Sequence, residues 1–264
     1  MSKKAASIYY GAGRMLMVSP HLRAQIHQHN AIQITFSFDG SFSVWTEETD
    51  WFKAEAILID SNVPHALQDF AGKQVTCGIS PDAVRGSNLQ TKLLQGKKIM
   101  NLPVEGFQRW WPIFTKMVEN NTPCYEAFDI CDQMIDTLTG KEEFHGVMDS
   151  RIMDTIYHIH DSLHHDISAD ALAARVHLST DRFLHLFKEQ LGLPLRQYVL
   201  SQRCIVATRA FITGMPLKQA AYEGGFSDPA HFSRTFSQLN GAKPSDYLKQ
   251  AHLFNLQFCL PSRL

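Results

Sequence analysis

The stretch "GGFSDPAHFSRTF" (Gly224–Phe236) joins a glycine pair to the start of a helix and then sets two phenylalanines four residues apart. Gly225 suits a turn that needs a left-handed backbone, Ser227 or Asp228 can cap the helix that follows, and Pro229 fits a first turn where a missing N–H costs little. Phe232 and Phe236 share one face of that helix, which leaves Ala230, Ser233 and Arg234 outward with His231 to one side. The chain carries this pattern twice. In "LAARVHLSTDRFLHLFKEQLGLPLRQYV" (Leu172–Val199), Ala173, Leu178 and Ser179 precede Ala221, Phe226 and Ser227 by 48 residues. Phe183, Phe187, Gly192 and Tyr198 precede Phe232, Phe236, Gly241 and Tyr247 by 49, so a turn has gained one residue. Each copy reads as a short helix with small residues, a tight turn ending in serine, and a second helix: a helix-turn-helix.

A short outward row of small residues with one arginine suits a major groove, where arginine bonds two acceptors on guanine and small side chains permit close approach. The plainer reading of a single copy is a helical hairpin whose polar face is merely solvated. Two copies joined by one long helix, Pro194 to Phe211, argue against it. Charge adds weak support. Residues 149–250 carry 11 Lys and Arg against 10 Asp and Glu, with seven of the thirteen histidines, whereas residues 1–148 carry 13 against 16. Affinity for DNA rests on local charge at the phosphates more than on such totals.

Residues 150–250 resemble, across its whole length, the DNA-binding domain of the AraC/XylS family of bacterial transcriptional regulators. The likeness is carried by "LAARVHLSTDRFLHLFKEQLG", Arg203 and Ala207, "AAYEGGFSDPAHFSRTF" and "GAKPSDYL". The resemblance implies two helix-turn-helix units on a shared linker helix, with their second helices in successive major grooves. Carried over position by position, the first reading helix is Thr180 to Gln190, with Asp181, Arg182, Leu184 and His185 outward; the second uses Pro229, Ala230, Ser233 and Arg234. Lys188 and Lys218 fit phosphate contacts, Ser179 and Ser227 fit helix-terminal contacts or caps, and Arg203 fits a supporting role in the linker helix. Two positions depart from the family pattern. His185 stands where arginine is common, and Leu184 replaces a polar reader, although it suits a thymine methyl.

The first ninety residues read as strands, as a small barrel or sandwich. "IQITFSFDGSFSVWT" (Ile32–Thr46) alternates around Asp39-Gly40 and predicts a hairpin. "EAILIDSNVPHAL" predicts a buried strand, a turn at Asn62 and Pro64, and a next strand carrying His65; "KQVTCGI" (Lys73–Ile79) closes the set. From about Asp82 the pattern turns helical in "VEGFQRWWPIFTKMVEN" and "PCYEAFDICDQMIDTLTG". In the second, Tyr125, Phe128, Cys131, Met134 or Ile135, and Leu138 form a stripe that packs either on its own domain or on a second copy.

The domains expected are a cupin-like effector-sensing domain over 1–90, a helical dimerisation or packing segment over 91–140, a linker over 141–148, the double helix-turn-helix over 149–250 and a tail over 251–264. The fold class is mixed: a cupin-like β-barrel with a helical segment, then an all-α domain. N-terminal domains in this family resemble cupins that sense an effector, which brings His27, His29, Gln33 and His65 together, with Thr35 and Trp45 as further lining residues. His27 and His29 alternate along a strand and so share a face. A metal-binding cupin enzyme commonly adds a Glu to three histidines, and here the fourth position is Gln33. No metal or other cofactor is expected, and no enzyme. A metal-dependent enzyme fused to a helical module, or an interaction protein that has lost DNA binding, remain the alternatives.

No apolar run approaches the roughly 18 residues a membrane span needs, and the first residues break into Tyr and Gly before a signal core can form, so a cytoplasmic protein is expected. The five cysteines are odd in number and lack a CxxC pair, so they read as buried free thiols. Implied partners are double-stranded DNA, a small-molecule effector, a second copy of the chain and, for an activator, RNA polymerase. No membrane partner is expected.

Overall fold

The computed structural model describes residues 6–20, 24–120, 122–140, 149–191, 193–240, 243–250 and 254–259. The expected linker at 141–148, and the repeat glycines Gly192 and Gly241, lie outside the described residues. No helix among those described is long and apolar enough to cross a membrane.

The N-terminal part holds β1 (Ala6–Gly11), β2 (Arg14–Pro20), β3 (Ala24–His27), β4 (Ile32–Ser37), β5 (Phe42–Thr46), β6 (Asp50–Ala54), β7 (Ala56–Ile59), β8 (His65–Gln68), β9 (Lys73–Ile79) and β10 (Ile99–Asn101). The strand β11 (Phe254–Phe258) joins them from the far end of the chain. They form two sheets, β10-β7-β4-β9-β2-β1-β11 and β3-β8-β5-β6. The expected barrel is therefore corrected to two facing layers that do not close. Alternation builds the layers. Ile57 and Ile59 of β7 pack with Phe42, Val44 and Leu67 of the smaller sheet, whereas Ala56 and Leu58 turn to the opposite core.

That opposite core is roofed by helices. α1 (Val84–Asn88) runs into a π-helical turn (Leu89–Leu94), a 3-10 segment (Val104–Trp110) leads into α2 (Trp111–Asn120), and α3 (Cys124–Thr139) follows. Phe36 of β4 stacks on Phe107 with ring centroids 4.5 Å apart, and both are fully buried. Burying one such ring contributes about 1.5 to 3 kcal/mol. Within the α3 stripe, Phe128, Cys131, Met134 and Ile135 are buried against their own sheet, Leu138 is partly buried on the same core, and Tyr125 is exposed. Arg14 lies over the Phe128 ring and pairs with Asp132, and Arg85 pairs with Asp132 and Asp136, so ion pairs also fix α3.

Three sequence expectations change here. β4 and β5 do not form a hairpin: β4 pairs with β7 and β9, and β5 with β6 and β8. The Asp39-Gly40 turn is real, with Gly40 at φ 112, but it carries the chain from one sheet to the other. Both strands are buried, so each has a better partner across its layer than across the turn. The second change is β10, which pairs with β7 inside a segment that reads as helical. Its three residues are too few to show a period. The third concerns the cysteines. Cys124 and Cys259 form a disulfide, and Cys77, Cys131 and Cys204 are buried free thiols. Residues 135 apart in sequence meet because β11 lies parallel to β1 and delivers Cys259 to the start of α3.

The C-terminal part is helical: α4 (Ser150–Asp161), α5 (Ala169–Arg175), α6 (Thr180–Leu191), α7 (Leu195–Ile212), α8 (Leu217–Glu223), α9 (Pro229–Asn240) and α10 (Pro244–Gln250). Caps set the boundaries. Asp149 accepts from the Arg151 amide, Ser168 from the Ala171 amide and Ser179 from the Arg182 amide. α7 is shared between two cores. Tyr198 and Val199 close the first around Phe183 and Phe187, and Cys204 and Ala207 close the second around Phe232 and Phe236.

Candidate nucleic-acid interface and adjoining cavity

Each expected reading helix is mounted on a buried aromatic pair. Phe183 and Phe187 hold α6, with ring centroids 5.8 Å apart, and Phe232 and Phe236 hold α9, with centroids 6.1 Å apart. All four side chains are buried. The helical period then leaves Asp181, Arg182, Leu184, His185 and Lys188 exposed along α6. Along α9, Ala230 and Arg234 are exposed and Pro229 and Ser233 half-buried. Lys218 is exposed on α8. Of the two candidate caps on α9, Asp228 serves: its Oδ1 accepts from the His231 amide at 2.7 Å, and that bond holds its carboxyl below the usual carboxylate range. Pro229 is the first helical residue.

The spacing of the two units is fixed by α7 and by close backbone contacts. Gly225 adopts φ 75, as its turn requires. A Cβ there would lie 2.2 Å from the Leu163 carbonyl oxygen, at the start of the loop after α4. Arg203 of α7 donates to that same oxygen from Nε at 3.1 Å and to the His165 carbonyl at 2.9 Å. Its expected supporting role is thus visible as a staple between α7 and α4. Gly224 answers to a different demand. Its φ is ordinary, but a Cβ would meet the Arg203 carbonyl at 2.5 Å and the Ala207 Cβ at 2.6 Å, so α8 crosses α7 at backbone contact.

The N-terminal sheet docks on the same linker helix. Ile205 of α7 is buried among Ile8, Tyr10 and Met17 of β1 and β2. Ser80 donates to Gln197 at 3.1 Å, Gln197 donates to Asp82, and the Asn30 amide donates to the Gln238 carbonyl of α9 at 2.8 Å. These contacts leave no mark in the sequence, because single polar residues carry no period. Between the domains lies a cavity of about 1120 Å³, lined from β2 and β3 on one side and from α7 and α10 on the other.

Three of the six expected pocket residues, His27, His29 and Gln33, line its wall, and His65 lies fully buried behind them. The rings of His27 and His65 are 4.3 Å apart by centroid, His29 and His65 5.2 Å, and His27 and His29 5.5 Å. His29 Nε2 lies 2.8 Å from Gln33 Oε1, and Gln33 donates to Thr35, which in turn bonds Thr76. Thr35 is therefore beneath the wall, supporting Gln33. Trp45 does not line the cavity; its cross-strand partner Trp51, 46% exposed, does. Burial pushes the His65 pKa down to about 3, with the two neighbouring imidazoles adding to the effect, and burial lowers His27 and His29 as well. All three are neutral imidazoles near pH 7, the form that ligates a metal ion. No carboxylate stands among them.

A family model described as a helix-turn-helix domain matches residues 172–250. The arabinose operon regulatory protein of Salmonella typhimurium is 37% identical over 110 residues, covering 40% of this chain and 38% of that protein. The protein of the same name from Escherichia coli is 34% identical over 110 residues, covering 40% and 37%. The chain thus spans under two fifths of the length of these relatives. Among solved structures, ToxT from Vibrio cholerae O395 aligns over 90% of this chain and 98% of its own at 14% identity, with a TM-score of 0.46.

Proposed function

We propose that residues 149–250 are a DNA-binding domain of the AraC/XylS type and that the whole chain is a sequence-specific transcriptional regulator governed through its N-terminal domain; the helix-turn-helix match over residues 172–250 and the likeness to the arabinose operon regulatory proteins support this. One observation carries the reading: two exposed helix faces, each built on a buried phenylalanine pair, are held at a fixed spacing by α7. Asp181, Arg182, Leu184 and His185 read one groove; Pro229, Ala230, Ser233 and Arg234 read the next; Lys188 and Lys218 hold phosphates. The two facing sheets serve as a cupin-like sensing domain, and the cavity between domains takes a small-molecule effector. An effector that fits only the docked arrangement shifts the balance between docked and free reading helices. Homodimerisation through the outer side of α3, where Tyr125 is exposed, recruitment of RNA polymerase and a cytoplasmic setting belong to the same reading.

Selection of bound sequences from a random DNA pool, with the full chain at fixed salt, tests it. The expected product is a motif of two boxes about one helical turn apart. Failure to recover any motif would remove the regulator and favour the interaction protein. On the selected site, Arg234→Ala is expected to cost about 1 to 3 kcal/mol of specific binding and to relax one base position. An unchanged base preference would take Arg234 out of the groove. Lys188→Ala is expected to weaken binding to all sequences alike and to lower the salt slope by about one. If the loss were confined to one base pair, Lys188 would be a sequence reader instead.

A further inference from the structure

The histidine cluster is organised beyond what a general pocket wall needs. Each Nδ1 is committed to a backbone carbonyl: His27 to Gln25 at 2.7 Å, His29 to Ala31 at 3.0 Å and His65 to Val63 at 2.8 Å. A carbonyl only accepts, so each Nδ1 carries the proton, and each neutral ring keeps its lone pair on Nε2. This outer bond fixes tautomer and ring orientation in histidines that bind metals. The ligand atoms of the three lie within 4.8 Å of one another. His65 is fully buried, and its Nε2 has no hydrogen-bond partner. A buried acceptor left without a donor is destabilising. His29 Nε2 faces Gln33 Oε1, a second acceptor. Turning the amide satisfies that pair, but it supplies nothing to His65. A cation at the centre satisfies all three rings at once and gives Gln33 a carbonyl oxygen to aim at it.

We propose that His27, His29 and His65, with Gln33 beside them, bind a first-row divalent transition-metal ion, and that the ion modulates DNA binding. The donor set chooses the ion. Three imidazoles and an amide suit zinc, cobalt, nickel or copper, whereas calcium and magnesium need several oxygens. At metal to nitrogen distances of about 2.0 to 2.1 Å the ligand nitrogens sit about 3.4 Å apart, so the rings draw inward on loading. His27 has room to move, being half-buried on the edge strand β3, where the register with β8 shifts. The motion has a direct outlet. Asn30, one residue after His29, holds the Gln238 carbonyl of the reading helix α9, and the His29 carbonyl itself accepts from the Asn62 amide at 2.7 Å. An ion that draws His29 inward therefore pulls on the contact that docks α9.

This modulation rests on the regulator reading, so the test separates the two. Untagged full-length protein, stripped with chelator, is titrated with Co²⁺ while visible absorption and bound metal are measured. One ion per chain is expected, with uptake lost in His27→Ala and in His65→Ala and affinity lowered about tenfold or more in Gln33→Ala. His65 is in the core and its variant can fail to fold, so half-buried His27 carries the decision. In parallel, the Kd for the selected DNA site is expected to change at least about fivefold on loading in the wild type and not in His27→Ala. A chain that binds its motif but takes up no Co²⁺ overturns the metal site and leaves the regulator intact. Uptake by a chain that selects no motif overturns the regulator and keeps the site. Uptake with unchanged DNA affinity overturns the regulatory role of the ion.

Discussion

Gly225→Ala is expected to destabilise the second helix-turn-helix by about 2.5 to 5 kcal/mol, enough to erase its half of a DNA footprint while leaving the first half in place. Two costs add. A non-glycine residue at φ 75 carries about 1 to 2 kcal/mol of local strain. The new methyl would also sit 2.2 Å from the Leu163 carbonyl oxygen and 3.2 Å from Arg203 Nε, the two atoms that bond each other across α4 and α7. Parting that charge-assisted hydrogen bond costs about 1.5 to 3 kcal/mol more. Gly214 supplies the control. It also has positive φ, at 104, but a Cβ there would meet nothing within 4 Å, so Gly214→Ala should show the strain alone, about 1 to 2 kcal/mol. Denaturant midpoints of the two variants decide the matter. If Gly225→Ala costs no more than Gly214→Ala, the turn needs glycine for its backbone angle only, and the contact with α4 is not what positions the second unit.

The C-terminal domain was legible because its signals are local and repeated. Caps at Ser168 and Asp228, the phenylalanine pairs and the positive φ of Gly225 each act within a few residues, and a second copy 48 or 49 residues away confirms the period. The N-terminal domain resisted for the opposite reason. Asp39-Gly40 marks a turn, but whether its strands pair or part depends on β7, β8 and β9, which offer β4 and β5 neighbours that no local pattern encodes. Gly224 shows the same limit on a smaller scale: its φ is ordinary, and only the crossing of α8 over α7 explains it. His27 and His29 were legible as a pair from alternation along the chain. That His65 joins them was an expectation from family likeness, and the commitment of every Nδ1 to a carbonyl two residues away depends on the backbone conformation of β3, of the turn after it and of the turn before β8. Trp45 was misplaced because burial in a strand does not say which cavity a ring faces.

Opening the disulfide between Cys124 and Cys259 should lower the stability of the folded chain by up to about 5 kcal/mol, the largest single effect expected from any pair of atoms here. The bond closes a loop of 135 residues, and chain entropy in the unfolded state sets its worth at about that figure. The loop encloses the whole helix-turn-helix domain. β11 pairs with β1 on one side while α7 packs on β1 and β2, so the DNA-binding domain leaves the N-terminal sheet at one end and is fastened back to it at the other. Tyr10 stacks on Phe258, Gln257 donates to the Thr122 carbonyl, and the Cys259 amide donates to the Tyr10 carbonyl, which supports the strand beside the sulfur bond. Cys124→Ser should therefore behave like reduced wild type in denaturant, and reductant should leave the variant unchanged. Peptide mapping of alkylated, unreduced protein should recover the Cys124 and Cys259 peptides as one species. Recovery of both as separate alkylated peptides, with no stability difference between oxidised and reduced chain, would return these cysteines to free thiols and leave β11 held by its backbone and packing alone.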